Sequence, residues 1–138
     1  MKKSARGKMN KTTAKLHRLE TKATKLWFNL ALKKWKEVCE GCGEPASQMH
    51  HYIPKGRSRL LKFNVDNAVP LCQKCHYKIH FSPKPSEIAR IVNKIRKGRG
   101  KKWCDYIDAK EREQLGGFYG IHYLEGVIKE LTNMSTEQ

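Results

Sequence analysis

Four cysteines and four histidines fall between positions 39 and 80 of the 138-residue chain, and their spacing sorts them into two ligand sets. Cys39-x-x-Cys42 and Cys72-x-x-Cys75 are paired thiols. A CxxC turn puts both sulfurs on one side of a tight loop, and two such turns complete a tetrahedron around Zn²⁺ with no open position. That metal would be structural and would do no chemistry. His76 follows Cys75 and is turned about 100° from it on a helix, so it faces away from the zinc. His80 lies four residues on, which returns it to the face of His76. Two imidazoles so placed can grip a second ion, with His50 or His51 as the third ligand. The expectation is therefore two metals, one structural and one working. His17, His122 and Cys104 lie outside the pattern and read as ordinary surface or packing residues.

These side chains need elements to hold them. Upstream, Leu16, Leu19, Ala23, Leu26, Trp27, Leu30, Ala31 and Val38 recur at three- and four-residue spacings, predicting one amphipathic helix over 14–37. SQMHHYIP is a short strand, PKGRSR a basic loop, and LKFNVDNAVPL a loop leading into a strand. CQKCHYKIH starts a helix that Pro83 and Pro85 end. PSEIARIVNKIRK, WCDYIDAKEREQ and YGIHYLEGVIKELTNM predict three more helices, the last two separated by Gly116-Gly117. The expected organisation is a basic arm over 1–13, the helix over 14–37, a metal-bound core over 38–81 and a helical region over 82–138.

The net charge is +16, and residues 1–36 hold twelve Lys/Arg against the single acid Glu20. A second basic run, KIRKGRGKK, spans 94–102. Such a balance points to a polyanion, and nucleic acid is the commonest. No apolar run approaches the eighteen or so residues of a membrane span, and the basic N-terminus is followed by no apolar stretch. The expected location is the cytoplasm, where paired thiols hold metals rather than disulfides.

The core resembles the HNH, or ββα-metal, endonuclease family. The likeness lies in CxxC, then MHHYIPKG, then DNAVPLCQKCHYKIH. The family pattern places its first His on His51, its Asn on Asn67 and its last His on His76. His50 takes the place of a metal-binding Asp, and His80 matches the further ligand. The fold this implies is α+β and mostly helical, with a small zinc-stabilised ββα core between a basic N-terminal helix and C-terminal helices. The implied activity is metal-dependent hydrolysis of DNA phosphodiesters. The resemblance implies that His51 would be the general base and Asn67 the residue that holds its loop. It likewise implies His50, His76 and His80 as the ligands of a divalent ion (Mg²⁺, Mn²⁺, Ni²⁺ or Zn²⁺). The flanks resemble NinG-type phage recombination endonucleases in layout, which implies branched or recombining DNA and a bacterial or phage-infected cell.

Lys55, Arg57 and Arg59 after the base, and Lys94, Arg96, Lys97 and Arg99 in the second run, are the expected DNA contacts. The apolar face of the first helix either joins two copies in a homodimer or packs on its own chain. The alternative function is a non-catalytic zinc module that binds nucleic acid.

Overall fold

Asn10 opens the first helix by accepting a hydrogen bond from Thr13 N at 2.7 Å, satisfying a backbone donor that the helix start leaves free. Helix α1 then runs over Lys11–Trp35 and stops at Lys36, whose φ of 71° is left-handed. The computed structural model describes residues 10–113 and 119–136. The first nine residues of the basic arm and the Gly116-Gly117 break lie outside them. Helix α1 begins three residues before the expected start because Asn10 caps it.

Strand β1 (Gln48–His51) pairs antiparallel with β2 (Ala68–Leu71), in a register that sets Gln48 opposite Leu71 and His51 opposite Ala68. Between them, residues 52–67 form a loop with two short 3-10 turns, Arg59–Leu61 and Val65–Asn67. Cys72 caps helix α2 (Gln73–Phe81) by accepting from Cys75 N. Three further helices follow: α3 (Pro85–Arg99), α4 (Lys101–Arg112) and α5 (Ile121–Thr136). Pro85 occupies the first turn of α3, where its missing N–H costs nothing, so the helix starts at the proline. The fold is thus mostly helical, with one two-stranded sheet and helix α2 forming a ββα unit.

Two apolar cores flank the sheet. One joins Cys39, Ile53, Val69, Leu71 and Cys75 to Ile91 and Ile95 of α3 and Trp103 and Ile107 of α4. The other joins Ala23, Trp27, Leu30 and Ala31 of α1 to Leu124 and Leu131 of α5. Each large apolar side chain so covered contributes about 1.5–3 kcal/mol. Of the two roles expected for the apolar face of α1, packing within its own chain is the one seen: Phe63, Val65 and Ala68 of the metal-bound core cover it together with the C-terminal helix. The sequence could not show this, because α1 and α5 each need an apolar partner and periodicity does not say which.

The turn before β2 is held from three directions. Trp27 Nε1 donates to Asn64 O at 2.9 Å, Trp35 Nε1 to Val65 O at 2.9 Å and Trp103 Nε1 to Asp66 O at 2.8 Å. All three indoles of the chain thus grip successive carbonyls. Arg99 adds bonds to Asp66 O and Ala68 O, with its guanidinium 3.5 Å from the centre of the Trp35 ring.

Arg99 also makes a two-point pair with Glu40, and its side chain is 2% exposed. This corrects the expectation that Arg99 contacts DNA. Its position on α3 turns it inward, where burial demands a carboxylate partner. Arg99→Met should cost about 3–5 kcal/mol, since it strands Glu40 against the core. Denaturant titration checks this, and a loss near zero would refute the role.

A second tie is set by charge. Tyr119 Oη and Lys62 Nζ both donate to Glu20 Oε2, joining α1 to the residues before α5 and to the loop. The Tyr119 hydroxyl first, and Lys62 second, hold the Glu20 carboxyl below its usual range. Because its folded pKa is depressed, Glu20 stabilises the fold above the ordinary carboxylate pKa. That contribution is lost as pH falls through the depressed value. Glu20→Gln should therefore flatten the acid limb of stability against pH, measured by thermal melts at stepped pH. An unchanged limb would show that the tie carries no stability.

Candidate functional site

The zinc knuckle forms from two turns. Cys39 accepts from Gly43 N and donates its own N–H to Glu44 O, closing the first CxxC loop. Gly43 has φ +84°, which favours glycine. Gly41 has a different reason: a Cβ there would sit 3.0 Å from Cys75 Sγ. The second pair sits at the start of α2. The thiols of Cys39, Cys42, Cys72 and Cys75 converge, their ligand atoms within 4.8 Å of one another. Cys42 Sγ and Cys72 Sγ are 3.7 Å apart. A tetrahedron with Zn–S bonds of about 2.3 Å has edges of about 3.8 Å, so the donor set fits Zn²⁺. Burial pushes the Cys75 thiol up, and a bound cation is what such a site needs for that sulfur to ionise.

The second cluster is made by His50, His76 and His80, also within 4.8 Å. Strand alternation brings His50 there: Gln48 and His50 face α2, whereas Met49 and His51 face α1. His76 and His80 meet the strand from one face of α2, with ring centroids 5.3 and 5.1 Å from that of His50. Gln48 Oε1 can only accept, so the His76 Nδ1 beside it carries the proton and Nε2 keeps a lone pair. That Nε2 lies 3.2 Å from Nε2 of His80. The separation matches two nitrogens about 2.1 Å from one tetrahedral ion. His50 Nδ1 is buried and has no hydrogen-bond partner among the described residues. Burial, then the neighbouring imidazoles, lowers its pKa to about 3 and also lowers that of His76. Neutral imidazole is the metal-binding form, so the set fits a divalent ion.

His51 stands apart from this cluster. Its ring stacks on Trp27, centroids 4.4 Å apart and planes 12° from parallel. Its Nε2 lies 2.9 Å from Lys62 O. A carbonyl cannot donate, so Nε2 holds the proton and Nδ1 has the free lone pair. Burial lowers its pKa to about 4, and the charges of Lys55, Lys62 and His76 act in the same direction. Asn67 is fully buried. It accepts from Ile53 N at 2.6 Å and donates to Ile53 O and Leu61 O. It therefore clamps both ends of the loop that carries Lys62, and it touches no metal-binding histidine.

The basic residues divide by helical face. Lys94 and Lys97 are exposed on α3. Arg96 instead makes a two-point pair with Asp108 and donates to Tyr52 Oη. Lys55, Arg57 and Arg59 are exposed, with Arg57 paired to Glu111 at 2.9 Å and Arg59 over the Tyr119 ring. Lys74, Lys78 and Arg90 were not expected from sequence. With Lys94 they line a cleft of about 770 Å³ between the zinc knuckle and helices α2 and α3. Gln48 and Trp27, which fix the two imidazole rings, carried no sequence signal of that role.

Residues 39–82 match the family model described as HNH endonuclease. The type IV methyl-directed restriction enzyme EcoKMcrA of Escherichia coli (strain K12) is 29% identical over 87 residues, covering 53% of this chain and 30% of that protein. The mitochondrial DNA mismatch repair protein mutS homolog of Sarcophyton glaucum is 46% identical over 48 residues, 32% of this chain and 5% of that protein. The chain thus spans less than a third of the length of either relative. No solved structure matches. Among the described residues no helix is long and apolar enough to cross a membrane. An HNH endonuclease domain is therefore present over residues 39–82, with a four-cysteine zinc site and a separate three-histidine cluster.

Proposed function

We propose that this protein is a metal-dependent endonuclease that hydrolyses DNA phosphodiesters. The observation that carries the reading is the unpartnered, buried Nδ1 of His50, held with His76 and His80. An unsatisfied buried nitrogen is costly unless something binds it, and a structural zinc module has no use for a second ligand set.

The chemistry that a divalent ion supplies when held by these three histidines is charge neutralisation at the scissile phosphate and the leaving oxygen. His51 Nδ1 takes the proton of the attacking water. Its Nε2–H bond to Lys62 O then strengthens as the ring becomes positive, and Trp27 keeps the ring plane fixed. A base with a pKa near 4 is weak at neutral pH, but an anionic phosphodiester arriving beside it favours the imidazolium and raises that value. Asn67 acts as a positioning residue through the loop. Lys55 and Arg59 lie exposed after the base and contact phosphates on either side of the cut, while Lys94 and Lys97 meet the backbone further away.

The layout of a basic N-terminal helix, an HNH core and a helical C-terminus extends the proposal to branched DNA, as in NinG-type enzymes. The test incubates the protein with plasmid, linear and four-way-junction DNA across Mg²⁺, Mn²⁺, Ni²⁺ and Zn²⁺. Cleavage should require added metal and be greatest on the junction. Binding without cleavage under every metal would favour the zinc-module reading instead.

A further inference from the structure

Helix α2 presents three faces. Cys75 points into the core, His76 and His80 form the second cluster, and Tyr77 and Phe81 project to solvent at 64% and 67% exposure. The last two are also four residues apart, so they form a stripe beside the histidines, with ring centroids 5.1 Å apart. The His80 and Phe81 rings are 6.0 Å apart, which ties the stripe to the ion-binding face. Exposed large apolar side chains are few among the described residues: the others are Val38 at 46% and Tyr106 at 37%, and Tyr106 accepts from Asn64. Phenylalanine has no polar atom to hold at a surface. Beside the two rings an open groove of about 570 Å³ is bordered by Lys74, Lys78, Pro83 and Glu87, with Glu87 paired to Lys78 at 3.5 Å.

We infer that Tyr77 and Phe81 form a stacking platform for an unpaired nucleobase of the DNA substrate, next to the phosphate held at the three-histidine cluster. A base has an apolar π-face for the rings, and its phosphate suits the exposed Lys74 at the groove edge, while Lys78 is paired to Glu87. A fully paired duplex keeps its bases in the stack and offers neither ring a face. The platform therefore favours DNA with unpaired bases near the cut, such as a bubble, flap or junction. This rests on the endonuclease reading for the position of the phosphate, but the stacking can be observed without cleavage.

The test places 2-aminopurine in the unpaired segment of a bubble oligonucleotide and compares it with a fully paired duplex of the same length. Wild-type protein should quench the bubble probe and bind the bubble more tightly. Tyr77→Ala with Phe81→Ala should abolish the quench and weaken bubble binding by about 5- to 150-fold for each base lost from the stack. Duplex affinity and zinc content should stay close to wild type. Tyr77→Phe should retain the quench, because the ring and not the hydroxyl acts.

Equal losses on bubble and duplex, or an unchanged quench in the double variant, overturn the inference. So does a double variant that turns a dimer into a monomer with the probe signal unmoved, since a second copy is then the occupant. Cleavage by wild type without any quench leaves the endonuclease reading standing and removes the platform. A quench that depends on the two rings, without cleavage of any substrate, does the reverse.

Discussion

Cys75→Ser should release zinc and abolish cooperative unfolding, while Cys104→Ser should do neither. Cys75 is both a ligand and a core residue, buried with Cys39 among Leu71, Ile91 and Ile95. Structural zinc sites contribute about 10–16 kcal/mol in small peptides, as much as the about 5–15 kcal/mol that holds a whole domain folded. A serine hydroxyl cannot replace a thiolate, and the three remaining thiols would crowd together without the ion. Cys104 lies on α4 with its Sγ 3.5 Å from Arg96 O and is not one of the four converging thiols. Elemental analysis should find about one zinc per chain in wild type and Cys104→Ser. The effect should spread beyond the knuckle, because Glu40 lies inside the first CxxC turn and holds Arg99, and Arg99 holds the turn before β2. A Cys75→Ser protein that keeps its zinc and melts like wild type would refute the four-thiol site.

The ligand sets were legible because metal chemistry constrains spacing. Two residues between thiols and three between imidazoles are local geometries that a chain must write into its sequence. The helices were legible through apolar periodicity, but which of His50 and His51 completes the cluster was left open by the sequence. The structure separates them by strand alternation: His51 meets Trp27 while His50 meets α2.

What stayed hidden was the identity of partners across long separations. KIRKGRGKK reads as one basic patch, yet Arg96 and Arg99 turn inward to Asp108 and Glu40 while Lys94 and Lys97 stay outside. Composition cannot separate these residues, because the outcome depends on carboxylates 12 and 59 positions away. The tryptophans were equally ambiguous. Trp27 read as part of an apolar helix face, whereas its indole N–H and that of Trp35 are spent on the carbonyls of Asn64 and Val65. The role of Asn67 came from family likeness. Its bonds to Ile53 and Leu61 now give that role a physical basis, since it pins the loop whose Lys62 carbonyl selects the His51 tautomer.

His51→Ala should lower cleavage by at least about 10²-fold while zinc content, folding and DNA affinity stay close to wild type. A general base acts on the water as the transition state forms and holds little of the ground state, so the loss belongs to turnover rather than binding. Removing the ring also uncovers Trp27, but Trp27 keeps its bond to Asn64 O, so the helix–loop contact survives. His80→Ala should behave differently. It deletes one of three ligands, so activity falls through weaker occupancy and added divalent ion should partly restore it. The same titration should do nothing for His51→Ala, because the cluster of His50, His76 and His80 remains whole. His122→Ala, at a fully exposed position on α5, serves as the control and should cleave like wild type. Rates measured against metal concentration for all four proteins separate base from ligand. If His51→Ala cleaves as fast as wild type, or if excess metal rescues it as it rescues His80→Ala, then His51 is not the base.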